Sequence, residues 1–228
     1  MENSRASSPE RIASSLERDT LYSTQELESA GLSRPAIRRL LAGGVLDSPA
    51  TGVYLHADNE PHEFDDLAAV AKRCPEAVFN LYTAARYHGI TQAVPADIWI
   101  GIPHKNAPVM GGGFHLDLRV LRWSRPEDVE SDVETFSMRG VELRFTGEAR
   151  TVVDMWRYSS HNPHLRGEPR IHDENLLQCV GAYLEKTGGA TRELGAAARR
   201  LKIGPATTDD FFRFCQNYAG GFTFGQTF

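Results

Sequence analysis

The chain has 228 residues, of which 41% are hydrophobic and 24% are charged, and its formal net charge is −5. This composition is typical of a water-soluble globular protein, and the length suits one large domain or a small domain joined to a larger one. It excludes the disordered and fibrous classes, and no apolar run approaches the roughly 20 residues that a membrane-spanning helix needs. Because the overall field repels phosphate, a nucleic-acid partner requires a local basic patch.

The amino-terminal segment and the cysteines predict a cytoplasmic protein. Residues 1–15 are polar and lack the apolar stretch of a signal peptide. Cys74, Cys179 and Cys215 are isolated from one another in the sequence. This spacing predicts free, buried thiols rather than a disulfide framework or a zinc site, and no motif indicates a cofactor.

Three short helices are predicted before residue 45, the first of them over residues 9–19. Ser23 and Glu26 have the S-x-x-E spacing of a capping box, which starts the second helix. Gly31 can adopt the left-handed conformation that ends this helix, and Ser33 is a favoured first residue for the third. Two helices joined by a short turn that contains glycine are typical of a helix-turn-helix motif.

The third predicted helix is amphipathic and gathers positive charge. Its aliphatic side has i, i+3, i+4 spacing and consists of Ile37, Leu40 and Leu41. Arg38 and Arg39 project away from that side, and Arg34 lies at its edge in the first turn. Arginines on a helix surface are commonly only solvated or paired with a nearby glutamate, so the helix by itself leaves both interpretations open.

A two-stranded ribbon is predicted directly after this helix, over residues 45–56, with the turn at "PAT". Three helices followed by a ribbon are in the order of a winged helix-turn-helix. In such a domain the helix offers hydrogen-bond donors to the major groove, and the ribbon contacts the DNA backbone. We therefore predict an amino-terminal winged helix-turn-helix DNA-binding domain over residues 1–60.

A larger mixed α/β domain is predicted over residues 61–228, after a polar linker at residues 56–66. Alternating apolar and polar residues predict the strands of one mainly antiparallel sheet at 97–103, 114–123, 132–138 and 141–147. Helical periodicity predicts helices at 67–74, 81–90 and 148–158, and three carboxy-terminal helices at 174–186, 191–202 and 208–219. The expected fold class is therefore α+β.

Three segments, in this order and spacing, resemble the AbiEi-type antitoxins of bacterial toxin–antitoxin (abortive-infection) systems. They are "QELESAGLSRPAIRRLLAGGVL…GVYLH", "TAARYHGIT" and "RTVVDMWRY", and the resemblance extends from Thr20 to Leu201. It implies that an amino-terminal winged helix represses the operon's own promoter by binding inverted repeats. It also implies that the carboxy-terminal domain acts as an antitoxin against a co-transcribed nucleotidyltransferase toxin.

The resemblance places Ser33, Arg34, Arg38 and Arg39 on the recognition helix and residues 47–54 in the wing. The DNA-binding residues that we predict are Thr24, Ser33, Arg34, Arg38, Arg39 and Thr51. Palindromic DNA requires two such helices, so a weak dimer or two cooperating monomers are expected. Wings of this family carry Arg or Lys near the tip, whereas this chain has Asp47, which predicts that the helix provides most of the affinity.

Other side chains suggest chemistry less directly. His161, His164 and His172 suggest a metal site, but their segment is broken by Pro and Gly, so surface histidines are the simpler interpretation. His88 lies at a helix end, where a structural role or acid–base catalysis would suit it. Asp154 has an arginine four residues before it and another three residues after it, which predicts salt bridges within a helix rather than a nuclease metal site.

Two alternatives to the repressor stay open. The first is a protein-interaction module that binds a nucleotidyltransferase toxin directly and has weak or lost DNA binding, with the aromatic segment 220–228 as an anchor. The second is an enzyme built around His88 or Asp154. We expect a non-enzymatic antitoxin. His88 has no evident nucleophilic partner in the sequence, and Asp154 lacks the later Glu-x-Lys of a nuclease, since Glu142-Leu143-Arg144 has arginine in place of lysine and precedes it.

Overall fold

A computed structural model describes residues 8–104, 113–114, 117–163 and 171–218. Within these residues the chain forms ten helices and two sheets, so the prediction of a mixed helix-and-sheet protein is confirmed. The helices are α1 (Pro9–Ser15), α2 (Thr24–Ser29), α3 (Arg34–Ala42), α4 (Asp65–Arg73), α5 (Leu81–Tyr87), α6 (Pro126–Glu130), α7 (Glu148–Arg157), α8 (Asp173–Lys186), α9 (Arg192–Arg200) and α10 (Pro205–Tyr218). The strands are β1 (Tyr22–Ser23), β2 (Leu46–Ala50), β3 (Val53–His56), β4 (Val78–Phe79), β5 (Asp97–Pro103), β6 (Asp117–Trp123), β7 (Val133–Met138) and β8 (Val141–Thr146).

The chain divides into two compact units. The first unit comprises Met1–Ala77, Pro108–Asp117 and Thr135–Leu143. The second comprises Val78–Ala107, Leu118–Glu134 and Arg144–Phe228. The predicted domain boundary between residues 60 and 61 stays a prediction.

The first unit contains a three-stranded antiparallel sheet with the order β1-β3-β2. Tyr22 lies opposite Tyr54, and Leu46 lies opposite His56. The helices pack their apolar sides into one cluster of Ala13, Leu27, Leu32, Ala36, Ile37, Leu40 and Leu46. Burial of these side chains is the main force that assembles the short helices, which would be marginal in water by themselves.

Local capping sets the bounds of α2 and α3. The Ser23 hydroxyl oxygen accepts a hydrogen bond from the Glu26 amide at 3.2 Å, and the Glu26 carboxylate accepts one from the Ser23 amide at 2.6 Å. Gly31 has φ +99°, a conformation that costs glycine little. The Ser33 side chain accepts from the Ala36 amide at 3.4 Å. The predicted capping box, helix stop and helix start are therefore confirmed.

The second sheet has the order β6-β5-β4-β8-β7. It is mixed, because β4 pairs antiparallel with β5 and parallel with β8. The sequence predicted four of these strands. The two-residue strand β4 was missed, since so short a segment shows no periodicity.

The carboxy-terminal helices enclose the core of the second unit. Trp156 of α7 is 1% exposed, and its ring centroid lies 5.4 Å from that of Phe211 in α10. Leu176 and Tyr183 of α8 are buried in the same cluster. The three predicted carboxy-terminal helices are present. Among the described residues, none of the helices is both long enough and apolar enough to span a bilayer.

The three cysteines are free and buried, as predicted. Burial raises the pKa of Cys179 and of Cys215 to about 12, because a thiolate is poorly solvated in the core. These thiols are therefore protonated and unreactive at neutral pH.

Candidate nucleic-acid interface

Helix α3 presents two arginines to solvent on the side opposite its packed face. Ala36, Ile37 and Leu40 are at most 3% exposed, whereas Arg38 and Arg39 are both exposed. Within the described part of the chain, neither guanidinium group has an ion-pair or hydrogen-bond partner. Each can offer its five N–H donors to a ligand without first breaking an internal contact.

Arg34, at the start of α3, has an acidic neighbour across the turn. Its Nε donates to Glu28 Oε1 at 2.8 Å, and its side chain is 71% exposed. The hydrogen bond to Glu28 and the negative charge of Glu28 hold the pKa of Arg34 above its usual value. An exposed pair of this kind is weak and is screened by salt, so a phosphate can replace Glu28.

The two predicted hydroxyl contacts are partly engaged within the domain. The Ser33 oxygen accepts the capping hydrogen bond of α3, which leaves its O–H free to donate. Thr24 is half-buried, and its hydroxyl donates to the phenol oxygen of Tyr54 at 3.4 Å. The Thr24 amide donates to the Gly52 carbonyl at 3.2 Å, which fixes the start of α2 against the β2–β3 turn.

The β2–β3 ribbon has a compact turn and an acidic flank. The Ser48 hydroxyl lies 2.9 Å from the Ala50 carbonyl oxygen and 3.0 Å from that of Val53, which tightens the turn. Asp47 is exposed at its base, and Gly52 has φ +78° at its tip. Segment 45–56 contains no lysine or arginine, so the ribbon offers no side-chain cation to a phosphate.

A distant glycine lies directly against this turn. The exposed Thr51 donates its amide to the Gly113 carbonyl at 2.8 Å, and Ala50 forms an antiparallel bridge with Phe114. Gly113 has φ +101°, and a Cβ placed on it would lie 2.1 Å from the Thr51 hydroxyl oxygen. Only glycine permits so close an approach. Sequence analysis missed this contact, and the only signal for it was the glycine-rich stretch at residues 111–113, far along the chain from the ribbon.

Asp154 belongs to a buried charge cluster in the second unit. Its carboxylate accepts from Arg150 Nε at 3.1 Å and from Arg157 at 2.6 Å, so the predicted salt bridges within α7 are present. Asp128 was not predicted to take part. It accepts from Arg157 at 3.1 Å and from two nitrogens of Arg125 at 2.8 and 2.9 Å. The cluster contains three positive and two negative side chains, and each carboxylate is paired with two arginines.

The charges of this cluster shift its pKa values in opposite directions. Burial by itself would raise the pKa of Asp128, but the hydrogen bonds from Arg125 and the charge of Arg157 outweigh it and lower the pKa. Burial would lower the pKa of Arg157, and the charges of Asp154, Tyr158 and Asp128 raise it. Asp128 and Arg157 are therefore both ionised at neutral pH, as their ion pair requires.

The candidate histidines also have structural contacts. His88 lies with Nε2 2.7 Å from the Thr146 carbonyl oxygen, to which it can donate. His161 lies 3.2 Å from Asp173, and His172 precedes α8. His164 and the aromatic segment 220–228 lie outside the described residues. No group of three His, Cys, Asp or Glu side chains in the described segments is arranged to hold a metal ion.

Comparison with known proteins identifies a related fold. No protein-family model matches the chain, and no curated protein matches it. The crystal structure of the RV2827C protein from Mycobacterium tuberculosis is similar, with a TM-score of 0.56 over 93% of this chain and 75% of that chain. The two sequences are 15% identical. At this identity, the likeness shows a shared fold alone.

Proposed function

We propose that this protein is an AbiEi-type antitoxin that also represses its own operon, with residues 1–60 acting as a winged helix-turn-helix domain. In this proposal α3 is the recognition helix and the β2–β3 ribbon is the wing. The observation that carries it is the pair of exposed guanidinium groups of Arg38 and Arg39, which lie opposite the buried face of Ile37 and Leu40.

The chemistry of arginine suits this role. A guanidinium group can bind the O6 and N7 acceptors of guanine with two hydrogen bonds in the major groove, or it can pair with a phosphate. Arg34 and the Ser33 hydroxyl lie at the first turn of α3, where backbone phosphates commonly dock. Thr24 and Thr51 would contribute through the start of α2 and the tip of the wing.

The charge distribution predicts the character of the binding. Because the whole chain has a net charge of −5 and the ribbon has no cation, α3 supplies most of the attraction. Affinity should therefore be modest and should fall steeply with salt. Inverted repeats would be read by two copies whose recognition helices are about 34–36 Å apart, as weak dimers or cooperating monomers.

Gel-shift titration with the DNA upstream of its own gene tests the proposal. We expect the Arg38→Ala/Arg39→Ala variant to bind at least about tenfold more weakly and to lower the salt slope by about 1–2, because each phosphate contact contributes roughly 0.9. The matched control is Arg192→Ala/Arg199→Ala, which removes the same charge from exposed positions of α9. The assignment of α3 is wrong if both double variants bind as tightly as the wild type.

A second candidate is a protein-interaction module that neutralises a nucleotidyltransferase toxin by direct contact. The wing favours it, because the Thr51 amide is already bonded to Gly113 and Asp47 would repel phosphate. Co-purification with the product of a neighbouring nucleotidyltransferase gene, lost on deletion of residues 220–228, would support this candidate. If DNA binding survives that deletion, the two activities are separate.

We propose further that the protein is not an enzyme. Support comes from His88 and Asp154, which are engaged by the Thr146 carbonyl and by two arginines respectively. A nuclease assay with divalent metal tests this point. Metal-dependent cleavage that disappears in Asp154→Asn would overturn it.

A further inference from the structure

The outer edge of β7 borders a cleft within the first unit. β7 is the last strand of its sheet, and its residues 135–137 are exposed. The cleft has a volume of about 600 Å³; one wall is segment 136–140 and the other is segment 58–62, with Asp19 at the rim. Three consecutive residues of β7, 136–138, line the cleft. Because the side chains of a strand alternate between the two faces of the sheet, a cleft on one face would be lined by every second residue, so this cleft lies along the edge of the strand. We call this feature the β7-edge cleft.

Hairpin geometry shows which backbone groups face the cleft. Arg139 and Gly140 have φ +51° and +68°, as in the type I′ turn of a two-residue hairpin. Such a turn is closed by a hydrogen-bonded pair, here Met138 with Val141. Going back along β7 from Met138, the backbone N–H and C=O groups point alternately away from β8 and toward β8. The N–H and C=O groups of Ser137, which lines the cleft, and of Thr135, two residues before it on the same edge, therefore point outward, where an added strand would pair with them.

Arg139 fixes the two walls relative to each other. Its side chain is 5% exposed, and its Nε donates to Asp65 at 2.8 Å. Its terminal nitrogens donate to the Asp19 carboxylate and, at 2.5 Å, to the Glu60 carbonyl. These bonds join the β7–β8 turn to the segment that follows β3, so the cleft is preformed and binding needs little rearrangement.

The cleft is acidic. Three carboxylates line it: Asp19 and Asp58 are 74% and 60% exposed, and Glu60 is also exposed. A fourth carboxylate, that of Asp65, is bound to the lining residue Arg139. The nearby cations are Arg139, which is buried, and Arg18, which lies 3.3 Å from Asp58. Four negative charges against two positive ones leave the cleft attractive to a cationic ligand.

We propose that the β7-edge cleft binds an extended, lysine- or arginine-rich segment of a partner protein as an added β-strand. Thr135 and Ser137 supply main-chain hydrogen bonds, the carboxylates of Asp58 and Glu60 select basic side chains, and Phe136 with Phe64, whose ring centroids are 6.2 Å apart, offers an apolar contact. A second copy of this chain is a poorer occupant, because pairing two β7 edges would bring two acidic clefts together. The carboxy-terminal segment 219–228 contains no charged residue, so it lacks the complementary charge.

Fluorescence anisotropy with labelled octapeptides and the full-length protein tests this proposal. One peptide alternates lysine with threonine or valine, and the matched control has glutamate in place of lysine. We expect the lysine peptide to bind at least about tenfold more tightly, and its affinity to fall with salt. The proposal is overturned if the lysine peptide fails to bind at about 1 mM, or if both peptides bind equally.

Two variants separate the main-chain contribution from the charge contribution. Ser137→Pro removes an outward N–H without interrupting the pairing with β8, and should weaken the lysine peptide about tenfold or more. Asp58→Asn/Glu60→Gln should weaken it several-fold with no loss of folding, because both side chains are exposed. Glu174→Gln/Asp209→Asn removes the same charge from exposed positions elsewhere and should have no effect.

Equal affinity of the two charge variants for the lysine peptide would contradict the role of Asp58 and Glu60. A dimer of the wild type that Ser137→Pro abolishes would identify a second copy of the chain as the occupant instead. None of these measurements depends on DNA binding.

Discussion

Replacing Asp154 by alanine tests whether the charge cluster on α7 stabilises the second unit. The Arg150 side chain is fully buried, at 0% exposure. Asp154 is the only carboxylate paired with Arg150 among the described residues. The guanidinium group also donates to the carbonyls of Ser131 and Asp128 and lies 5.1 Å from the centre of the Trp123 ring. The variant would leave a buried guanidinium group without a counter-charge.

The expected cost is large because the group that remains is desolvated. Removing one partner of a buried ion pair costs about 3–5 kcal/mol, against about 0–1 kcal/mol for an exposed pair. For a domain of this size, each kcal/mol lowers Tm by about 2–4 °C, so Tm should fall by about 6–20 °C. Arg157 keeps Asp128 as a partner at 3.1 Å, so this second arginine adds little to the cost.

Urea unfolding followed by tryptophan fluorescence measures the effect, because Trp99, Trp123 and Trp156 all lie in the second unit. The control is Asp210→Ala, which breaks the more exposed pair of Asp210 with Arg213. If Asp154→Ala loses less than about 1 kcal/mol, or is more stable than the wild type, the structural role is refuted. A gain in stability is the result expected of a catalytic carboxylate, since active-site strain is commonly held at a cost to the fold.

Two further measurements use the same fluorescence signal. The free energy of unfolding should fall as pH drops below about 4. The pKa of Asp128 is lowered on folding, because the hydrogen bonds from Arg125 outweigh the effect of burial. The ionised Asp128 therefore contributes its full stabilisation above its unfolded pKa of about 3.9, and this stabilisation is lost as pH falls through the folded pKa. Asp128→Asn should flatten this acid limb, and an unchanged limb would contradict the assignment. Gly101→Ala should cost about 1–3 kcal/mol, because the new Cβ would lie 2.2 Å from the Trp123 ring. The matched control is Gly181→Ala in α8, where nothing lies within 4 Å of the new Cβ, and it should stabilise the protein by about 0.5–1 kcal/mol. Similar changes in the free energy of unfolding for the two variants would contradict the predicted clash at Gly101.

Much of the local structure could be predicted from the sequence alone. The reciprocal hydrogen bonds of Ser23 and Glu26 join residues three positions apart, so their spacing is sufficient to identify them. The positive φ of Gly31 and the buried side of α3 follow from similarly short patterns. The outward position of Arg38 and Arg39 was predictable for the same reason, because a helix with one aliphatic side must turn its other side to solvent.

Only the tertiary structure decided which of these groups are engaged. Hydrogen bonds join Thr51 to Gly113, Arg139 to Asp19 and Asp65, and Asp128 to Arg157. The partners are at least 29 residues apart in the sequence. The parallel pairing of β4 with β8 is equally distant along the chain. Hydrophobic periodicity and capping are local because they arise from the repeat of one helix or one strand. Long-range pairs arise from how the elements pack, and neither residue of such a pair carries a mark of its partner in the sequence.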